Sequence, residues 1–362
     1  MTFNIVHKEV EERKKFLTYT SNILTIISIK IYVLGFTMMK PRPCGCKGCR
    51  TCLICETQYG ASALKPEIYL DKEKSYVYCP MCNKAWPGWD GDLYKGHPNH
   101  RGTPIEYPGV HIQLDFISKD EENELMKNID EVPWDISQSG RRKQNFGPKT
   151  NFKKKKIVPG KFDGFPAFSK YLQDRFLSVP LLEGYEVIEQ CSLEYDPDKG
   201  ASIDPHIDDC WIWGERIVTV NCLSDSVLTM TPYRGDSKKY NLHCAEEYPP
   251  VVMSDGSINT DLVTNGCSML EVCKPAKDMD VVVRLPMPRC SLMVLYGEPR
   301  YHWEHCVLRE DITARRVCIA YREFTPPYMN NGAYEDIGLE IRNRGKQFWD
   351  HYDRYREIEI NS

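Results

Sequence analysis

The fold predicted for this chain is α+β and mainly β: a double-stranded β-helix, or jelly roll, flanked by helices and preceded by a cysteine-rich module. Two observations predict the barrel. From Tyr185 onward the sequence runs through short, alternating apolar segments separated by turns. Only two helical patterns precede them in the same domain. A third observation, the crowding of cysteines between Cys44 and Cys82, predicts the N-terminal module.

Residues 1–40 read as an extension, either from an upstream start, with Met38 or Met39 as the alternative initiator, or as a weak membrane anchor. Phe16 to Met39 is long enough to span a bilayer. Lys30 lies near its middle, however, and seven Ser, Thr or Asn residues dilute it. A mid-membrane Lys costs about 3 kcal/mol on insertion scales. No membrane role is therefore expected.

Residues 41–108 are expected to form the cysteine module and a linker. Cys44, Cys46, Cys49, Cys52 and Cys55 precede a second pair, Cys79 and Cys82, set in a knuckle-like turn. Sixteen cysteines in a secreted chain would suggest disulfides, but tight CxC and CxxC spacing suits reduced thiolates on a metal. Structural zinc takes four such ligands. Seven cysteines exceed one site and fall one short of two, so His97 or His100 is a candidate to complete the second. A redox-reactive thiol cluster is the alternative, and spacing does not choose the ligands. Gly and Pro punctuate 83–108, which reads as linker and turns. Reduced thiols place the chain in the cytoplasm and nucleus, and a monomer is expected.

The catalytic domain is expected over 109–330. "GVHIQLDFIS" opens it as a strand; Ser118 then caps a helix running to about Ile129, with Glu121 as its capping-box partner. A second helix is expected from Phe165 to Leu177. The strands "YEVIEQCSLEY", "ERIVTVNCLS", "VVVRLP", "CSLMVLYG" and "RRVCIAYREF" follow. Pro232 to Pro288 is polar and Gly/Pro-punctuated in its middle and reads as a surface-loop insertion. Residues 331–362 form a tail with a helix expected around Gly345 to Arg356.

The chemistry is carried by His206-Ile-Asp208. On a strand, alternate residues share a face, so an imidazole and a carboxylate converge on one point. A distal His completes a two-His, one-carboxylate set, with His305, His302 and His243 as candidates. Such a set leaves one side of a metal open, as in non-haem Fe(II) oxygenases. Arg316 and Arg322, on one apolar run, supply fixed positive charge for a dicarboxylate. Asp209 cannot share the face of Asp208 on a strand and reads as a solvent carboxylate or as one that orients a neighbouring ligand.

"YDPDKGASIDPHIDDCWIWGERIVTVNCL" and "LYGEPRYHWEHCVLREDITARRVCIAYREF" resemble the AlkB family of Fe(II)/2-oxoglutarate-dependent dioxygenases over about residues 110–328. "CGCKGCRTCLICE", "SGRRKQNFGPK" and "IDPHIDDCWIWGERIV" are similar to its fourth animal branch in particular. The resemblance selects His305, which follows an aromatic-x pair, and implies Fe(II), 2-oxoglutarate and O2. It implies that Arg316 binds the distal carboxylate of 2-oxoglutarate, Arg322 sits near the chelated end, and Tyr195 donates a hydroxyl to the distal carboxylate. Leu193 and Cys318 depart from the family, where many relatives carry Asn, which puts the polar network of the pocket in question.

The resemblance also implies a substrate lid over Trp134 to Gly160, with Trp134, Arg141, Arg142, Lys143 and Phe146 as candidate contacts. Between Arg141 and Lys161 there are nine Lys or Arg and no acidic residue. With Phe146 and Phe152 interleaved, this run suits a phosphate backbone and stacked bases, or an acidic protein surface. The branch implies oxidative demethylation of methyl-lysine in actin, of N6-methyladenine in DNA, or of both. A side-chain hydroxylase and a non-catalytic zinc-module binding protein are the competing readings. Formaldehyde release separates the first reading from the second, and succinate separates both from the third.

Overall fold

The computed structural model describes residues 42–61, 68, 70–260, 262, 266–273 and 279–350. The expected N-terminal extension, residues 1–40, therefore lies outside the described residues. No helix among the described residues is long and apolar enough to cross a membrane.

Two seven-stranded sheets build the molecule. One runs Ile203–His206, Trp303–Val307, Ser226–Pro232, Val282–Met287, Ser75–Cys79, Lys84–Pro87 and Ile105–Glu106. The other runs Val110–Gln113, Leu292–Leu295, Trp213–Cys222, Arg316–Phe324, Glu189–Tyr195, Arg142–Phe146 and Asp135–Ile136. From Glu189 to Phe324 the chain crosses repeatedly between the sheets, which is the winding of a jelly roll. Val283 and Leu285 of the first sheet share one apolar core with Val218, Val220 and Ile319 of the second. These strands are apolar on both faces where helices or the second sheet cover them.

The helix Lys119–Glu131 starts as expected, with the Ser118–Glu121 capping box formed and Leu125, Met126 and Ile129 buried. Such a cap is worth about 1 kcal/mol. The second helix is shorter than expected: Lys170–Phe176 is α-helical, Ala167–Ser169 is a 3-10 turn, and Phe165–Pro166 is a strand. The reason is Pro166, which holds the backbone extended at the helix entrance.

Three expectations are corrected. Residues 83–108 are not a linker: Lys84–Pro87 and Ile105–Glu106 extend the first sheet. Ser75–Cys79 pairs in parallel with Val282–Met287, and Tyr78 and Ala85 lie in the barrel's own core. The second half of the cysteine region is thus part of the barrel. The 232–288 insertion is shorter than expected, because Val282–Met287 is an inner strand. The segment after Pro232 is also no bare surface loop: Leu242, Ala245, Tyr248 and Met269 form a small core with Ile207, Cys210 and Tyr301. Among the described residues the last helix is Glu335–Gly345, and 346–350 do not continue it as expected. Ile341 buries its apolar face, and Phe348 then pairs with Phe165. Residues 351–356 lie outside the described residues.

Candidate metal centre and co-substrate pocket

His206 ends the edge strand Ile203–His206 and sits opposite His305 on Trp303–Val307. Their rings lie 4.2 Å apart. Asp208 is not on the strand, as alternation had suggested, but two residues beyond its start of release at His206, in the segment leading to Trp213. One donor atom from each of His206, Asp208 and His305 lies within 4.8 Å of the others. His302 and His243 are outside this group: His302 lies by the Cys273 backbone, and His243 Nδ1 is 3.3 Å from the Ser237 carbonyl.

The protonation states suit a cation. Nδ1 of His206 is 2.9 Å from the Asp204 carbonyl, an acceptor, so Nδ1 carries the proton and Nε2 keeps a lone pair. Burial holds His206 below its usual range and, with His206 beside it, takes His305 down to about 3. Burial opposes ionisation of Asp208, but Arg322, His305 and His206 together hold its carboxyl well below the usual carboxylate range. Two neutral imidazoles and one carboxylate fit Fe(II) on one side.

Two arginines fix Asp208, one through its carboxylate and one through its backbone. Arg322 reaches Asp208 with Nε at 3.2 Å and Nη2 at 3.3 Å, and donates to Glu189 at 2.6 Å. Arg300 was not anticipated from sequence. It is 2% exposed and donates to the backbone carbonyls of Asp208, Trp213 and Gly214 at 2.9, 3.0 and 3.2 Å. It pins both ends of the turn that carries Asp208. An Arg in "GEPRYHW" has no spacing that reveals such a role. Asp209 is half-buried and accepts from Asn241 Nδ2 at 2.9 Å, which ties the insertion to this turn and favours the supporting over the solvent reading.

Arg316 lies on the same face of its strand as Arg322 and directly opposite Tyr195. Its guanidinium carbon is 4.8 Å from the centre of the Tyr195 ring. Nε donates to Asn221 at 2.6 Å, whereas the buried Nη1 has no partner within the protein. A buried, unpaired guanidinium N–H is costly, and the carboxylate of 2-oxoglutarate is the kind of group that satisfies it. Asn221, a lone amide in an apolar strand, is a signal that sequence alone offered and that was passed over. Leu193 and Cys318, the two departures from the family, are direct cross-strand partners in one apolar cluster. Neither side chain carries an amide, so the pair leaves no buried amide to satisfy.

The lid is smaller than expected. Arg142 and Phe146 belong to the sheet: Arg142 forks onto Glu194 and stacks on Trp134, and Phe146 is buried in the main core. Lys143 faces Leu193 in the same strand pair. Arg141 is buried with its guanidinium 5.8 Å from the Tyr195 ring, so it borders the pocket instead of covering it. The rest of the expected lid folds as the hairpin Lys149–Asn151 with Lys156–Val158. At its tip Phe152, 49% exposed, lies 6.5 Å from Trp211 and 6.4 Å from Trp213. Trp213 in turn carries Arg322 on its ring at 5.5 Å.

Sulfur ligands gather in two places. Cys44, Cys46, Cys52 and Cys55 bring their sulfurs within 4.8 Å of one another, whereas Cys49 is exposed and belongs to neither group. Gly45 is required between the first two, because a Cβ there would lie 2.6 Å from the Ser137 carbonyl. Burial pushes the Cys46 thiol up to about 12, and a bound cation reverses such a shift. Zinc fits this four-thiol set. The set is docked on the pocket's border: the Ser139 N–H donates to Cys46 sulfur at 3.1 Å, and Arg309 forks onto Glu56. Cys79 and Cys82 instead join His97 and His100. The cysteines of both groups, and Cys49, form no disulfide.

The chain is 38% identical over 302 residues to human alpha-ketoglutarate-dependent dioxygenase alkB homolog 4, covering 83% of this chain and 92% of the human protein. The mouse protein of the same name is 37% identical over 305 residues, covering 84% and 94%. A Caenorhabditis elegans DNA N6-methyl adenine demethylase is 30% identical over 319 residues, covering 83% and 94%. No family model matches the chain.

Proposed function

Because the chain belongs to the alkB homologue 4 family of alpha-ketoglutarate-dependent dioxygenases, we propose that it is an oxidative demethylase of N-methyl groups on a macromolecule, methyl-lysine in an actin-like protein or N6-methyladenine in DNA. The name of the nematode relative supports the nucleic-acid alternative. The observation that carries the reading is the convergence of His206, Asp208 and His305 beside an aromatic, basic rim.

His206, Asp208 and His305 would hold Fe(II), which with 2-oxoglutarate and O2 supplies the oxidation of an N-methyl group. The protein's part is positioning. Arg316 presents unpaired N–H groups to the distal carboxylate, and the Tyr195 ring braces it. Arg322 holds the Asp208 carboxylate, and Arg300 holds the turn beneath it. Phe152 presents an exposed aromatic ring against the buried Trp211 and Trp213, and Lys153 to Lys156 add positive charge on the same hairpin. That rim suits an anionic backbone or an acidic protein surface around the reacting group. Once hydroxylated, the methyl carbon leaves nitrogen as formaldehyde. The clustered thiols of Cys44, Cys46, Cys52, Cys55, Cys79 and Cys82, none in a disulfide, support a reducing compartment, cytosol and nucleus.

Mass spectrometry of a methyl-lysine actin peptide and of N6-methyladenine DNA, each incubated with the protein, iron and 2-oxoglutarate, tests this. At least one substrate is expected to lose its methyl mass. Gain of an oxygen that persists would favour the hydroxylase, and no change in either would reject both proposed substrates.

A further inference from the structure

We propose that the chain carries a second zinc site, of Cys2His2 type, made by Cys79, Cys82, His97 and His100 and built into the edge of the catalytic sheet. One donor atom from each lies within 4.8 Å of the others. Cys79 sulfur is 3.8 Å from His97 Nδ1. That separation is about what two ligands of one tetrahedral zinc show, with bonds near 2.0–2.3 Å.

The local backbone is shaped for a metal. Cys79 ends the strand Ser75–Cys79, and the Asn83 N–H closes back on the Cys79 carbonyl at 2.9 Å. Asn83 takes a left-handed conformation, φ 56°, before the return strand Lys84–Pro87. Met81 and Cys82 turn their N–H groups to the Cys79 sulfur, the arrangement that supports a bound thiolate. Trp86 Nε1 donates to Cys82 sulfur at 3.4 Å. The imidazole of His100 stacks on Trp86 at 4.6 Å, and its Nε2 is buried with no hydrogen-bond partner. A buried imidazole nitrogen without a protein partner, beside two thiols and a second imidazole, has the surroundings of a zinc ligand.

The site's place explains its use. Ser75–Cys79 is hydrogen-bonded to Val282–Met287, then comes Ser226–Pro232, and then the strand of His305. Tyr78 donates to the Val110 carbonyl at 2.9 Å, joining the knuckle to the second sheet as well. The ion would fasten 97–100 to this hairpin and close the sheet's outer edge. It is separate from the set of Cys44, Cys46, Cys52 and Cys55, so the full chain should hold two zinc ions of different ligation.

Elemental analysis and zinc-edge X-ray absorption of the full chain, loaded with Fe(II) at the triad, test this. Two zinc ions per chain are expected, with six sulfurs and two imidazole nitrogens shared between them. One zinc, or two with sulfur ligands alone, overturns the proposal. The His97→Ala/His100→Ala variant is expected to lose one zinc and the nitrogen signal; full zinc in a folded variant also overturns it. Should the variant not fold, the wild-type spectrum decides.

Discussion

Asp208→Ala will reduce 2-oxoglutarate turnover to background while the barrel stays folded. Its carboxylate is the only anionic member of the candidate triad, and Arg322, His206 and His305 all act on it. Removing groups that merely orient metal ligands typically costs 10–100-fold. Loss of a ligand should exceed about 100-fold on that scale. Folding is expected to survive for two reasons. Alanine keeps the backbone carbonyl that accepts from Arg300, and Arg322 keeps Glu189 as a partner. Succinate release in excess iron, with a melting curve beside it, reads both. His206→Ala should behave alike. Wild-type succinate output from either variant would remove that residue from the metal centre.

Arg316→Lys should raise the KM for 2-oxoglutarate about ten- to a hundredfold and change kcat little. Hydrogen bonds to charged groups are worth about 1.5–3 kcal/mol, and each 1.4 kcal/mol is about tenfold. Lysine keeps the charge but loses the planar fork that holds Asn221 with Nε and aims the unpaired Nη1 into the pocket. Initial rates against 2-oxoglutarate concentration, at fixed iron, give the separation. An unchanged KM would show that the distal carboxylate is bound elsewhere.

Much of this site was legible because it rests on periodicity. Arg316 and Arg322 sit on an apolar run whose alternation puts both on one face, and the structure keeps that face. The strand of His206 was less visible, since Pro205 and Asp204 are poor strand formers. It is tolerated because Ile203–His206 is an edge strand, where a missing N–H costs little. Charge misled in the lid. Arg142 reads as a candidate substrate contact, yet Glu194, far along the chain, pairs with it across adjacent strands. Arg300 was invisible for a related reason: its partners are backbone carbonyls, which every sequence has. The cysteine region misled by composition. Its Gly and Pro suggested a linker, while the parallel pairing of Ser75–Cys79 with Val282–Met287 is a contact between distant segments.

The most direct measurement is the ratio of formaldehyde to succinate released by the iron-loaded full chain on a methylated substrate, with Asp208→Ala as control. Each methyl group removed consumes one 2-oxoglutarate, so the ratio should approach unity with methylated substrate and fall to zero with its unmethylated counterpart, while Asp208→Ala yields neither product. Substrate-stimulated succinate without formaldehyde would contradict demethylation and leave a hydroxylase; no succinate from the wild-type chain would contradict the metal centre itself.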